Sequence, residues 1–305
     1  MTSLPAPGPE ADRDLPLDAH LHTNLSPDSD VPIDAYCASA IERGIPEIAI
    51  TDHLDFDPQA PAHSFAPFAT REREVREAAA RWADRGLHVR FGVEISYESE
   101  RETEIREHLA RYPYDYAIGS IHIGAESPYK ASRVAGWVAG RTFDEVVAPY
   151  FAEVEAAIRS ELFDTIGHLD YVKKYVVNQV PPSVFATRPD VYEPLLRALV
   201  NAGMALEVNA SGLRQPPGET YPAPPIVERF RALGGRRVTA GSDAHRARSF
   251  AYGLGHAYAA IAAAGFDALA VRRHPGDARA GSSVGIPERV LRVRLAPNAR
   301  GPSSL

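Results

Sequence analysis

The chain has 305 residues, of which 45% are hydrophobic and 24% charged, and its formal charge at pH 7 is -7. That length can bury a sizeable core, and without a basic excess nucleic acid and anionic membranes are not expected as partners. The single cysteine, Cys37, excludes an intrachain disulfide and a thiolate cluster, so any metal site must use histidine and carboxylate.

The opening MTSLPAPGPEADRD lacks the basic and apolar regions of a secretory signal, and no run of about 20 apolar residues offers a membrane span, so a cytoplasmic location is expected. Residues 1–14 read as a flexible tail, 15–290 as one domain and 291–305 as a second tail. Within the domain, short apolar runs alternate with amphipathic ones, the pattern of repeated β–α units on a parallel sheet. The runs are LPLDAHLH, EIAI (47–50), HVRFGVEI (88–95), YDYAIGSIHI (114–123), LFDTIGHL (162–169), MALEVNA (204–210) and RRVTAGS (236–242), which makes seven candidate strands. Helical segments separate them, beginning with PIDAYCASAIERG, where Pro32 precedes and Gly44 follows the periodic stretch. The Pro-rich stretches QVPPSVFATRP and RQPPGETYPAPP read as ordered loops over one face.

Each run ends in a polar side chain of the kind that binds metals. In order these are His20 and His22, Asp52 and His53, Glu94, His122, His168, Asn209, and Asp243 with His245. His20 and His22 are two apart, so on a strand they project to one face. Singly, each feature has an ordinary explanation: an H-x-H on the surface, a strand Glu in a salt bridge, an Asp243 that caps a helix. Jointly those explanations fail, because imidazole and carboxylate crowded at one barrel mouth are costly without cations. In a closed parallel barrel the strand ends converge where barrel enzymes keep their sites. His63, His88, His108, His256 and His274 lie away from strand ends and are read as structural or surface residues; only the His63 loop is placed to reach over the mouth.

The segments HLHTNLSPDS, ITDHLDFD, GVEIS, YDYAIGSIHIG, FDTIGHLDYVKKY, LEVNASGLR and GSDAH, in that order, resemble the polymerase and histidinol phosphatase (PHP) superfamily. The likeness is greatest to its monofunctional histidinol-phosphate phosphatases and runs from about Leu17 to the GHA after Gly255. It implies an α/β fold, a distorted (β/α)7 TIM-like barrel, with three divalent metal ions (Zn, Fe or Mn). By that resemblance His20, His22, Glu94 and Asp243 would hold the first ion, a bridging Glu94 with His122 and His168 the second, and Asp28, His53 and His245 the third. Glu94, Asp243 and His245 are the expected catalytic residues.

The implied activity is hydrolysis of L-histidinol phosphate, a step of histidine biosynthesis, by attack of a metal-bound hydroxide. Three divalent ions set against Asp28, Glu94, Asp243 and one hydroxide leave a formal excess of about two positive charges, which matches a phosphomonoester dianion. Lys173, Lys174 and Arg214 are candidates to hold the phosphate at a solvent-facing mouth. Asn209 and Glu219 are candidates for the amine and imidazole of the substrate. The partner is thus a small-molecule phosphate ester, with no reading of oligomeric state. The alternatives are a PHP phosphoesterase acting on another small monoester or a phosphodiester such as a nucleotide, a non-catalytic polymerase-associated module, and an amidohydrolase-type barrel. The last usually carries a carboxylated Lys where this chain has Glu94.

Overall fold

The apolar runs become strands buried along nearly their whole length, as parallel strands covered on both faces must be. The computed structural model describes residues 11–270 and 283–286. Its strands are β1 (Asp18–Leu21), β2 (Glu47–Ile50), β3 (His53–Leu54), β4 (His88–Ser96), β5 (Tyr116–Ser120), β6 (Thr165–Ile166), β7 (Ala205–Asn209), β8 (Val238–Gly241), β9 (Ala268–Ala270) and β10 (Ser283–Gly285). The helices are α1 (Ile33–Arg43), α2 (Phe68–Ala83), α3 (Glu102–Arg111), α4 (Val134–Val138), α5 (Phe143–Ser160), α6 (Val172–Val176), α7 (Pro182–Thr187), α8 (Pro189–Ala202), α9 (Pro224–Ala232) and α10 (Leu254–Ala263).

Seven strands lie side by side in the order β1-β2-β4-β5-β6-β7-β8, all parallel, and β3 adds a short pairing beside β4. The ends of this sheet meet. Asp243 N donates to His20 O at 2.8 Å and His22 N donates to Ala244 O at 3.0 Å, so the seam runs through the segments that carry the candidate ligands. Tyr36 of α1 pins the same seam, its hydroxyl lying 3.0 Å from His22 O and 2.8 Å from Ala244 O. The nearly closed barrel of seven parallel strands expected from the sequence is therefore present, and the antiparallel pair β9–β10 lies outside it.

Three local readings change. The run 162–169 yields only two strand residues: Gly167 N still donates to Gly119 O at 3.0 Å, and an added Cβ there would come within 2.5 Å of Ser120 Oγ, but His168 adopts φ of 24° and turns out of the ladder. The stretch QVPPSVFATRP is not a loop throughout: Pro182 and its neighbours start α7, since a proline in the first helical turn loses no intrahelical hydrogen bond. Residues 11–14, read as part of a flexible tail, are fixed. Asp12 is 2% exposed and accepts from Gly253 N at 2.9 Å and Gly255 N at 2.8 Å, satisfying free donors at the start of α10. Asp14 N donates to Arg43 O at 2.7 Å. Of the histidines read as structural or surface residues, His274 lies outside the described residues, as do 1–10 and 287–305.

If residues 11–14 belong to the fold, Asp12→Ala leaves two buried N–H groups unmatched. Its urea unfolding free energy should fall by about 1–3 kcal/mol with unchanged metal content. An unaltered midpoint would return this segment to the tail.

Candidate metal centre

Strand register does much of the assembly. His53 on β3 pairs directly with Glu94 on β4, and the same ladder aligns Ser96 with Ser120, two residues before His122. His20 and His22 leave the end of β1 on one face, and β8 brings Asp243 against them across the seam. At Gly241 a Cβ would lie 2.3 Å from His20 Cβ, so only glycine lets β8 approach this closely. Asp243 then takes φ of 53°, a left-handed conformation that aims its carboxylate into the mouth.

Glu94, buried at the centre, turns its two oxygens to different histidines. Oε2 lies 3.3 Å from His20 Nε2, 3.3 Å from His22 Nε2 and 2.9 Å from His53 Nδ1. Oε1 lies 2.9 Å from His168 Nε2 and 3.6 Å from His122 Nε2. Asp243 Oδ1 is 3.4 Å from His22 Nε2, 3.9 Å from His20 Nε2 and 3.4 Å from His245 Nδ1. On the outer side His53 Nε2 and His245 Nε2 are 3.2 Å apart, and Asp28 Oδ2 stands 3.5 and 3.2 Å from them. All nine residues expected as ligands thus meet in one place, with His53 facing Glu94 through one nitrogen and Asp28 through the other.

The donors fit divalent ions. His20 Nε2 and His22 Nε2 are buried and have no hydrogen-bond partner among the described residues, although such atoms rarely go unsatisfied. A tetrahedral ion with ligand bonds of about 2.0–2.1 Å separates its ligand atoms by about 3.3 Å, the spacing found around these atoms. Three overlapping groups have metal-binding reach: His20, His22 and Asp243; His22, His53 and His245; and His53, Glu94 and His122.

Protonation follows the same geometry. Burial disfavours charge on Glu94, yet His20, His53 and His122 outweigh it and hold the carboxyl well below its usual range. Burial pushes His122 down to about 3 despite Glu94, and burial with His245 and His53 puts His22 well below the ordinary imidazole value. Both rings therefore have free lone pairs at neutral pH, the form that coordinates metal. His53 is pushed the other way, to about 10, because Glu94 and Asp28 overcome the effect of burial.

A second layer holds these ligands. Ser96 Oγ lies 2.8 Å from His122 Nδ1, and Ser120 Oγ donates to Glu94 Oε1 at 2.6 Å. Asp52, at the end of the same apolar run as His53, turns away from the cluster and accepts from Thr23 N at 2.6 Å, Thr23 Oγ1 at 2.8 Å and Ser26 Oγ at 2.8 Å, tying down the loop after His22. Asp18 does the same for the β8 end, accepting from Ser242 N at 2.8 Å. Burial raises its pKa to about 6. Glu207, missed in the sequence, lies 2.7 Å from His20 Nδ1. The signal for both acids was their position two residues before a recognised strand-end residue, which puts them on the same face.

The residues expected to hold substrate are placed differently. Lys173 is not at a solvent-facing mouth: it is fully buried, 3.0 Å from Asp170 Oδ2 and 2.8 Å from Glu219 Oε1, and it donates to Thr220 O at 3.0 Å. An aliphatic stem at the start of α6 carries it inward, where only paired charge is tolerated. Glu219 is therefore engaged by Lys173. Asn209 donates to Glu207 at 3.1 Å and accepts from Ser211 N at 2.9 Å, so it is part of the scaffold. Arg214 donates to Ser242 O at 2.7 Å and Asp243 O at 2.6 Å, fixing the backbone that carries Asp243. Lys174, unlike Lys173, forms no ion pair with a carboxylate among the described residues, and unlike Arg214 it donates to no backbone carbonyl there; its ammonium donates to Tyr171 Oη at 2.6 Å, and burial lowers its pKa.

The cluster forms the floor of a cavity of about 650 Å³. Asp55, Asp57, Gln59 and Ala60 form part of one wall, while Tyr171 and Tyr175 line it from α6 and the turn before it. His63, by contrast, is exposed and outside that lining.

The family model "PHP domain" matches residues 18–211, which is more than half of the chain. The chain belongs to the PHP family. A probable histidinol-phosphatase of Deinococcus radiodurans is 32% identical over 236 residues, covering 75% of this chain and 86% of the relative. The histidinol-phosphatase of Lactococcus lactis is 28% identical over 257 residues, covering 83% and 93%. Among solved structures, the histidinol phosphate phosphatase of Lactococcus lactis, complexed with zinc, L-histidinol and phosphate, superposes with a TM-score of 0.72 at 26% identity, over 85% of this chain and 97% of that one. A putative histidinol phosphatase of Listeria monocytogenes shares the fold with a TM-score of 0.67 at 20% identity, over 76% and 96%. This PHP chain therefore has the family's barrel and, at the mouth, a set of His, Asp and Glu side chains arranged to hold metal.

Two substitutions separate ligand from scaffold. Glu94→Gln should stay folded and lose bound metal and nearly all turnover, because both oxygens face histidines; full metal content measured by inductively coupled plasma spectrometry would remove Glu94 from the centre. Lys173→Met should instead cost about 3–5 kcal/mol in denaturant unfolding, since Asp170 and Glu219 lose their cation. A raised KM with no stability change would restore Lys173 as a substrate contact.

Proposed function

We propose that this PHP protein is a metal-dependent phosphomonoesterase that hydrolyses L-histidinol phosphate to L-histidinol and phosphate. The observation that carries the reading is the pair of orphaned imidazole nitrogens, His20 Nε2 and His22 Nε2, buried without hydrogen-bond partners among the described residues and each 3.3 Å, about one tetrahedral edge, from Glu94 Oε2. The likeness to relatives named histidinol-phosphatase, and to one whose structure holds zinc, L-histidinol and phosphate, supports the substrate.

Three ions are proposed. His20, His22, Glu94 and Asp243 would hold the first, Glu94, His122 and His168 the second, and Asp28, His53 and His245 the third. When bound, such ions lower the pKa of water, neutralise phosphoryl oxygens and stabilise the charge that develops in an in-line displacement. Mixed imidazole and carboxylate donors suit zinc, manganese or iron.

The chain's own contribution is placement. Glu94, Asp243 and His245 are proposed as the residues nearest the reacting phosphorus, with the Glu94 carboxylate shared between two sets of histidines. Lys174 is the proposed cation for a phosphate oxygen away from the ions, since it lies beside Tyr171, forms no ion pair with a carboxylate among the described residues and is within electrostatic reach of Asp243 and Asp28. Asn209 has its polar groups occupied, and Glu219 is paired through Oε1 with the buried Lys173 and does not line the cavity, which favours the lining carboxylates Asp55, Asp57 and Glu98 as partners for the cationic half of the substrate. Tyr171 and Tyr175 supply flat apolar surface on the opposite side for an imidazole ring. The lining thus sets metal-type donors at the floor beside Asp55, Asp57 and Glu98, with Lys130 as a lining cation, which favours a phosphate ester with an amine at its far end.

The test is phosphate release from L-histidinol phosphate against a panel of other monoesters and diesters, with metal quantified in the same preparation. The expected outcome is the highest kcat/KM for histidinol phosphate, close to three ions per chain, and loss of activity on chelation. A preference for another ester would overturn the substrate while leaving the metal centre intact.

A further inference from the structure

Glu207 is buried on β7, and among the described residues no lysine or arginine forms an ion pair with it. A carboxylate in such a place is costly unless its oxygens are fully used. Here they are. Oε1 lies 2.7 Å from His20 Nδ1, and Oε2 accepts from His168 N at 2.7 Å and from Asn209 Nδ2 at 3.1 Å. The Asn209 amide in turn lies 3.4 Å from Asp243 Oδ2.

The surroundings are cut to admit this one group. A Cβ at Gly241 would lie 2.9 Å from Glu207 Oε1, and a Cβ at Gly167 would lie 3.5 Å from Glu207 Oε2. The glycine on β8 therefore leaves room for the carboxylate, and Gly167 at the end of β6 borders it at ordinary contact distance. The contacts of Glu207 reach three candidate ligands that come from three different strands: His20 by its ring, His168 by its backbone, and Asp243 through Asn209.

Each contact has a direct effect on coordination. Accepting from His20 Nδ1 keeps the proton on that nitrogen and leaves Nε2, the orphaned atom, as the lone pair that faces Glu94 and Asp243. Accepting from His168 N holds that residue at φ of 24°, the turn that swings its Nε2 to within 2.9 Å of Glu94 Oε1. We infer that Glu207 is the positioning residue of the metal centre, linking the His20 side and the His168 side of the Glu94 bridge from beneath. It touches neither substrate nor ion. The inference rests on the metal-centre reading above.

The experiment uses the full chain with Glu207→Gln and Glu207→Asp. Gln keeps an acceptor for one contact and presents an amide N–H to the other; Asp keeps the charge and withdraws it. Zinc affinity is measured by chelator competition, and the absorption spectrum of the cobalt-substituted protein reports ligand geometry. The expected result is a zinc dissociation constant raised about 10–100-fold, with a shifted cobalt spectrum, in variants whose circular dichroism matches the parent. Parental affinity and spectrum in a folded variant would overturn the inference. Failure of both variants to fold would assign Glu207 to the fold alone and overturn it as well. A parent protein that binds no zinc or cobalt would instead remove the metal centre on which the inference stands.

Discussion

Buried nitrogen and oxygen lone pairs facing one another at about 3.3 Å are the arrangement to which the rest of this molecule conforms. Neutral imidazole nitrogens and carboxylate oxygens in contact repel one another unless a proton or a cation lies between them. Protonation serves part of the set, as with His53 between Glu94 and Asp28, but the burial of His22 and His122 works against charge on those rings. Divalent cations satisfy all the groups at once. The closing seam of the barrel, the left-handed turns at His168 and Asp243, and the glycines at 167 and 241 are the local departures from regular structure that make this meeting possible.

Those departures show how the fold and the site depend on each other. The barrel closes through backbone bonds of His20, His22, Asp243 and Ala244, so the ligands are held by the same hydrogen bonds that complete the sheet. Tyr36 reinforces that seam from outside, and Asp18, Asp52 and Arg214 bind the adjoining backbone from beneath and from the side. A metal centre assembled this way inherits the rigidity of the barrel. The loop of 55–62, by contrast, lines the cavity together with Tyr171 and Tyr175 and takes no part in the seam.

The clustered residues at the strand ends were legible in the sequence because strand ends in a parallel barrel share one mouth, so a repeated polar residue at the end of each apolar run carries its own spatial meaning, whereas Asp28, between β1 and α1, entered only through the family resemblance. The seven strands followed from the same alternation. What misled was the long cation. Lys173 and Lys174 are adjacent in an exposed-looking KK pair, yet on α6 one side chain is fully buried between Asp170 and Glu219 and the other points to Tyr171. Neither composition nor spacing distinguishes them, because the direction of each side chain is fixed by helix phase and by acids 3 and 46 residues away. Likewise the tail boundary at 14 failed at Asp12, whose partners are glycine amides more than 240 residues further on.

The sequence by itself determined the class of fold, the kind of donor at each strand end and the chemistry those donors imply, since these depend on residue type and on local periodicity. Tertiary structure alone decided which donors come within reach of one another, that Glu94 divides its oxygens between two groups of histidines, and that Glu207 stands behind them. It also decided which charges are used up inside the protein and which are left for a ligand. The physical reason is that burial and pairing are properties of long-range neighbours: the same carboxylate is a ligand, a scaffold or a solvated charge according to what the rest of the chain brings within about 3 Å of it.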